Sequence, residues 1–505
     1  MKAIRIAAAW VGFASVVQAQ APLRVDLSRQ HAVLDEFVEF LKLPNVASDR
    51  PAIRANTEHL RALMETRKLA PRILEGSSAD DPAALYGEWL TPGAARTVVF
   101  YAHYDGQPTD PKKWTVTDPW SPVFYTDIAS RGRRMNRPAP GVIINPNTRI
   151  YARSASDDKA GVMAILAAID VLRASGRNPN INIKIFFDGE EEAGSPHLAD
   201  VVTRNRDLLK ADAWVIVDGP IHQSGRKEVV FGARGDVNVN LTVYGPARPL
   251  HSGHYGNWIP NPGMTLARLL ASMKDENGRV KIQGWYSDVE PLGAEEKAAL
   301  KRIPDVEKQI LAELGIAKPE GSGKSLVQLI TEPSLNVNGI EVAEAGPGAR
   351  NVIPTRALAT LDLRLVKGND YNRQIENLRR HIRKQGFLVL DREPTMEERR
   401  KHAKIAKVER RGGANNAART PMSNPFAARV SRAVESTARE SVVLLPTSGG
   451  TVPIDVLHKE LGIVSVSVPV ANYDNNQHAE DENIRLGNLF SGIETIAAVM
   501  LIDWK

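Results

Sequence analysis

The sequence contains no cysteine. Disulfides are therefore excluded, and so is every metal site built on thiolates. Stability must come from a packed core or from metals, and any metal must be held by histidine and carboxylate. Charge of one sign is also scarce. Lysine and arginine number 65 against 59 acidic residues, a net charge of +6, with no long Lys/Arg run. That balance argues against a nucleic-acid-binding surface. After the first two dozen residues no apolar run is long enough to read as a membrane span. Internal repeats and low-complexity tracts are absent as well.

What is present is ordinary for a soluble globular protein. The 505 residues are 43% hydrophobic and 25% charged, and this length fits two or three domains. The opening stretch, "MKAIRIAAAWVGFASVVQAQAPL", has the form of a secretory signal. Lys2 and Arg5 give a basic start, Ile6 to Val17 are mostly apolar, and Ala19 offers a small residue for cleavage. About 12 apolar residues fall short of the ~20 that span a bilayer. The expectation is that residues 1–19 are removed, leaving an exported, periplasmic or secreted chain that starts near Gln20 without a membrane anchor.

From about residue 30 to 228, helical patterns alternate with continuous apolar runs that end in polar residues. These runs are "RTVVFYAH" (96–103), "NINIKIFFDG" (180–189) and "DAWVIVDG" (212–219). Runs buried on both faces are typical of a parallel sheet covered by helices. "DDKAGVMAILAAIDVLRASG" (157–176) reads as an amphipathic helix between two of them, terminated by Gly176. Between 229 and 419 the style changes. "GDVNVNLTVYG" (235–245) and "RALATLDLRLV" (356–366) alternate polar and apolar positions, as half-exposed antiparallel strands do. Helical patterns lie near "NPGMTLARLLASMKD" and "YNRQIENLRRHIRKQG", and the charged, then Gly/Asn/Ala-rich stretch 397–420 reads as a surface helix and linker. From 420 onward the first style returns, with "GIVSVSVPV" and a closing helix. The expected fold is α/β: a mostly parallel sheet flanked by helices, built from 20–228 and 420–505, with an inserted α+β domain of antiparallel sheet and helices over 229–419.

Polar residues able to bind a metal recur at the ends of the apolar runs and in the loops beside them. "AHYDGQP" offers His103 and Asp105, and "SASDDKAG" offers Asp157 and Asp158 just before a helix. "GEEEAGS" offers Glu190, Glu191 and Glu192, "VDG" offers Asp218, and "NNQHAEDENI" offers His478. In open α/β sheets the ligand crevice lies beyond the carboxyl ends of the strands, where these side chains would converge. Oxygen and imidazole donors without sulfur suit a hydrolytic Zn²⁺ or Mn²⁺ site. A lone acid at a strand end is usually a cap, and an acid triplet is usually a solvated helix start. The order and spacing of all these stretches together carry the signal.

In that order, joined by "LHSGHYGN", "NVIPTRA" and "LDLRL", the motifs resemble the zinc exopeptidases that include carnosinases, carboxypeptidase G and aminoacylases, the M-class peptidase family twenty. "LHSGHYGN" and "EPSLNVNGIE" bring the chain nearest to the carnosinase branch, and the resemblance runs from about residue 30 to 505. It implies two divalent ions, zinc first, with manganese or cobalt as alternatives. Asp157 would bridge them, with His103 and Asp218 completing one ion's ligands and Glu192 and His478 the other's. Glu191 would be the general base, and Asp105 would orient His103. His251 would polarise the substrate carbonyl, reaching across from a partner's inserted domain in a homodimer. Arg364 and Asn351 would hold the substrate's terminal carboxylate or carbonyl, helped by Thr451 in the Gly-rich loop "SGGTVP".

The chain departs from that pattern in places. Ser154 and Ala160 stand where glycines are common, and Thr447 and Ser448 replace a charged pair. Trp114 and Trp120 read as packing. The implied reaction is hydrolysis of an amide next to a free carboxylate in short peptides, as a dipeptidase or carboxypeptidase. The alternative is deacylation of an N-acyl amino acid. A non-catalytic periplasmic binding protein would be expected to lack the base or a ligand, and here all are present.

Overall fold

The computed structural model describes residues 23–78 and 84–504, so the expected signal segment lies outside the described residues. Among these, no helix is long and apolar enough to cross a membrane. The main sheet has eight strands in the order Arg72–Leu74, Ala84–Trp89, Asn182–Asp188, Thr97–His103, Ala213–Ile216, Val464–Ser467, Glu228–Val230 and Val443–Leu445. The four central strands, Asn182–Asp188 to Val464–Ser467, run parallel. Antiparallel strands extend one side. On the other, Ser467 opposes Val230 in a single antiparallel contact, which adds the parallel pair Glu228–Val230 and Val443–Leu445. The sheet is therefore mixed, with a parallel centre.

The apolar runs are continuous because both faces of the centre are covered. Val98, Phe100 and Ala102 pack into one hydrophobic cluster, while Val99 and Tyr101 pack into another with Phe186 and Trp214. The helix Lys159–Ala174 lies under the first face between Leu27–Leu41 and Leu486–Met500. It is buried on nearly every side rather than along one stripe, so it is a core helix and not an amphipathic one. Gly176, at φ +68°, ends it in the left-handed conformation a helix stop uses.

The inserted domain holds a five-stranded sheet in the order Ser334–Glu341, Arg356–Leu365, Gly235–Tyr244, Ile405–Asn415, Leu388–Leu390. All pairings are antiparallel except the last. Val237, Val239, Leu241 and Val243 face inward onto Leu266 and Leu269 of the helix Pro262–Ala271 and Leu378 and Ile382 of Tyr371–Lys384. The stretch expected as a surface helix and linker differs from that reading. Met396–Lys401 is helical, but Ile405–Asn415 is a strand of the sheet. Its Ile405, Ala406 and Val408 are buried while the Arg- and Gly-rich remainder is exposed, so tertiary pairing overrides an unfavourable local composition. The two crossings between domains run side by side, Gly232–Ala233 pairing with Ala418–Arg419.

Candidate metal centre

The strand Thr97–His103 delivers His103 to the carboxyl end of the sheet, where it is buried. Asp105, two residues on, is wholly buried. Its Oδ1 lies 3.3 Å from His103 Nδ1 and accepts the N–H of Glu191 at 2.9 Å, and its Oδ2 accepts the N–H of Glu192 at 3.0 Å. One carboxylate thus orients the histidine and the glutamate pair. The glutamates do not continue the strand Asn182–Asp188: Glu191–Ala193 forms a short 3₁₀ turn. This turn sets where the two side chains leave the backbone. Glu190 turns away, accepting the backbone N–H of His197 at 2.7 Å and meeting its Nδ1 at 2.8 Å.

Asp157 lies between two histidines. His103 Nε2 is 3.1 Å from its Oδ1, and His478 Nε2 is 3.0 Å from its Oδ2. Asp218 Oδ1 lies 3.9 Å from His103 Nε2, and Glu192 Oε2 lies 3.3 Å from His478 Nε2. Two donor clusters result, one of His103, Asp158 and Asp218 and one of Asp157, Glu192 and His478, each within 4.8 Å. Asp158 spends its oxygens on backbone, accepting the N–H of His103 at 3.3 Å and of Gly161 at 3.1 Å as the helix cap. Asp157, grouped with Glu192 and His478, also reaches His103 of the other cluster at 3.1 Å.

The electrostatics match the crowding. Burial pushes Glu191 well above the ordinary carboxylate range, and it pushes Glu192 to about 8 with the Asp157 charge adding to it. Burial likewise raises Asp218 to about 6. Asp157 goes the other way: although buried, its hydrogen bonds with His103 and His478 hold it below the usual value. The hydrogen bond to Asp157 raises His478 to about 9. Buried carboxylates at this density need compensating cations, and an all-oxygen and imidazole donor set fits divalent ions.

Some supporting residues were not legible in the sequence. Glu482, wholly buried, accepts the N–H groups of Ser154, Ser156 and Asp157 at 2.8, 2.9 and 2.9 Å, and Arg153 Nη1 donates to it at 2.8 Å. It fastens the loop that carries Asp157. Its signal was its place in the stretch that holds His478. Gln107 donates to Glu192 at 2.6 Å, and Gln477 to Asp157 at 3.2 Å. Ser154 adopts φ +58°, the left-handed region glycine favours. Trp114 packs under the Arg153 guanidinium at 5.2 Å.

A cleft of about 580 Å³ opens on the centre, lined by Asp157, Glu191, Glu192, Asp218 and His478 and by Arg364 and Thr451. Arg364, from the inserted domain, donates to Thr451 Oγ1 at 3.0 Å and to Asp362 Oδ2 at 3.2 Å. His251 and Asn351 do not line the cleft. Both are exposed on the inserted domain, where His251 pairs in register with Val352 and caps a short helix by accepting the N–H of Gly253 at 3.0 Å.

Comparison with known proteins agrees with the geometry. The chain is 27% identical over 462 residues to the human Beta-Ala-His dipeptidase, spanning 89% of this chain and 83% of that one. It is 26% identical over 386 residues to a Cys-Gly metallodipeptidase of Schizosaccharomyces pombe, spanning 72% and 76%. A solved M20 family metallo-carboxypeptidase from Sulfolobus solfataricus superposes with a TM-score of 0.76 at 28% identity, covering 93% of this chain and 98% of that one. Residues 99–502 match peptidase family M20/M25/M40, and the chain belongs to that family as a metal-dependent hydrolase.

Proposed function

We propose that the protein is a dinuclear metallo-exopeptidase of short peptides, cleaving the amide next to a free terminal carboxylate. The observation that carries this reading is Asp157, whose two oxygens are divided between His103 at 3.1 Å and His478 at 3.0 Å. His103 and Asp218 would hold one ion and Glu192 and His478 the other, with Asp157 common to both. Zinc is the proposed ion, since the donors are imidazole and carboxylate without sulfur. When bound, such a pair supplies the positive charge that brings the pKa of a shared water toward neutrality.

The chain's own groups do the rest. Glu191 is anchored through its N–H on Asp105 and lies 3.9 Å from His103 Nε2. Its carboxylate takes the water's proton and returns it to the leaving amine. Arg364 and Thr451 receive the substrate carboxylate through charge-assisted hydrogen bonds. Relatives named as dipeptidases, and a structural relative named as a carboxypeptidase, support both the amide and the carboxylate side of this assignment.

His251 is proposed to act in the cleft of a second copy. What supports this is its exposure on the inserted domain, off the lining of its own cleft, and the edge strand that the same domain's five-stranded sheet leaves without a further neighbour. That strand, Ser334–Glu341, is largely exposed, with Ile340 at 59%, and such an edge is a template for pairing with another chain.

The test of the reaction is Glu191→Gln in zinc-loaded protein. The expected result is a fall in kcat on dipeptides of about 10²- to 10⁴-fold with metal content unchanged. Undiminished turnover would remove Glu191 from its role as base.

A further inference from the structure

Glu228 begins the strand Glu228–Val230 and has no part in the metal centre. It is 6% exposed, and its Oε2 has no hydrogen-bond partner. Burial alone pushes its carboxyl up to about 8, with no charged neighbour contributing. Alternate residues of a strand share a face, and Glu228 and Val230 both line the cleft that holds Asp218, Arg364 and Thr451. The register gives its position. Val230 opposes Ser467 in antiparallel sense, so Glu228 projects past the carboxyl end of Val464–Ser467, into the crevice where the ligands meet. Two strand spacings separate it from the strand leading to Asp218, about 10 Å across the sheet.

An acid buried without a partner inside a ligand cleft is an acceptor waiting for a donor that the ligand brings. The same cleft holds the Arg364 guanidinium, so it offers one fixed cation and one fixed acid. A free short peptide is a zwitterion that complements both. An N-acyl amino acid complements only the first.

We propose that Glu228 recognises the free amino group of the substrate, accepting its N–H while the terminal carboxylate meets Arg364. The proposal rests on the exopeptidase reading of the cleft and narrows it to peptides with an unblocked amino end. The gap of about 10 Å is within the combined reach of a glutamate side chain and a short aminoacyl group, at ~3.5 Å per extended residue.

Two matched pairs test it: glycyl-leucine against acetyl-leucine, and β-alanyl-leucine against propionyl-leucine. The members of each pair differ only in the amino group. With zinc-loaded protein, kcat/KM for the amino member of at least one pair is expected to exceed that of its partner by about 10- to 100-fold. Glu228→Gln is expected to shrink that ratio to below about three-fold, mainly through KM and with the melting temperature held. Glu228→Asp, which withdraws the carboxyl by one methylene, should shrink it less. Calorimetric binding of the same pairs to Glu191→Gln protein reads the preference without turnover. Absence of turnover on all four compounds would sink the exopeptidase reading while the binding preference still decides Glu228. No preference for the amine in the wild type, or equal loss on both members of a pair in the variants, overturns the proposal.

Discussion

Asp105 does not line the cleft, yet it sets where His103, Glu191 and Glu192 point. At the scale of single residues the candidate site was legible wherever a candidate ligand and its neighbours share one short stretch, as His103 with Asp105 or Asp157 with Asp158. Glu482 and Gln107 lie in quoted stretches, but their roles were not legible, because their partners come from elsewhere in the chain; Glu228 was not legible because a solitary acid has no local signature. The titration of the ligands makes a prediction at this scale. Glu192 and Asp218 are raised from 4.5 to about 8 and from 3.8 to about 6. A raised carboxyl stabilises the fold fully below its unfolded pKa and loses that contribution as pH climbs through the folded value. His478, raised to about 9, acts in the same sense, fully present below 6.5 and lost on passing 9. Chelator-treated protein should therefore show a melting temperature that falls from pH 5 to pH 9. Restoring zinc should raise it more at pH 8 than at pH 5, since the ions bind deprotonated ligands. A pH-independent melting temperature after chelation would contradict this account of the cluster.

Elements position these residues as much as chemistry does. The helix Lys159–Ala174 starts directly after Asp157 and Asp158 and presses its first turn on the loop before Asp218. A Cβ on Gly161 would lie 2.1 Å from the carbonyl oxygen of Val217 and 2.3 Å from Asp158 Oδ1. Gly161→Ala is expected to cost roughly 1–3 kcal/mol in stability. Because Val217 precedes Asp218, a candidate ligand, it should also weaken zinc binding about 10- to 100-fold, measurable by competition with a chelating dye. Unchanged affinity would mean that the helix can withdraw without moving Asp218. The central strands were readable from their continuous apolar runs, which two-sided burial demands. The strand Ile405–Asn415 was not, since only its first residues are apolar and its place depends on pairing with Gly235–Tyr244. The short helices Ala294–Leu300 and Leu326–Ile330, which bring Leu300 and Ile330 to the cleft, span too few residues to establish a helical period.

On the scale of the whole molecule, the inserted domain meets the main one at the cleft through Arg364 and Thr451, while His251 and Asn351 stay on its outer surface. If a second copy supplies His251, mixing His251→Ala with Glu191→Gln protein should restore activity. The expected yield is about a quarter of the wild-type value when subunits exchange at random, because one site in each mixed dimer is then intact. No recovery despite demonstrated exchange would place His251 outside the reaction. Composition, the order of the ligand-bearing stretches and the division into a parallel centre and an antiparallel insertion follow from contiguous residues, where burial period and donor type act over a few positions. The meeting of His103 with His478 on the two oxygens of Asp157, the fastening of that loop by Glu482 and the solitary acid at Glu228 do not. They arise from contacts between distant segments, and those contacts are selected only when the entire chain buries its apolar faces at once.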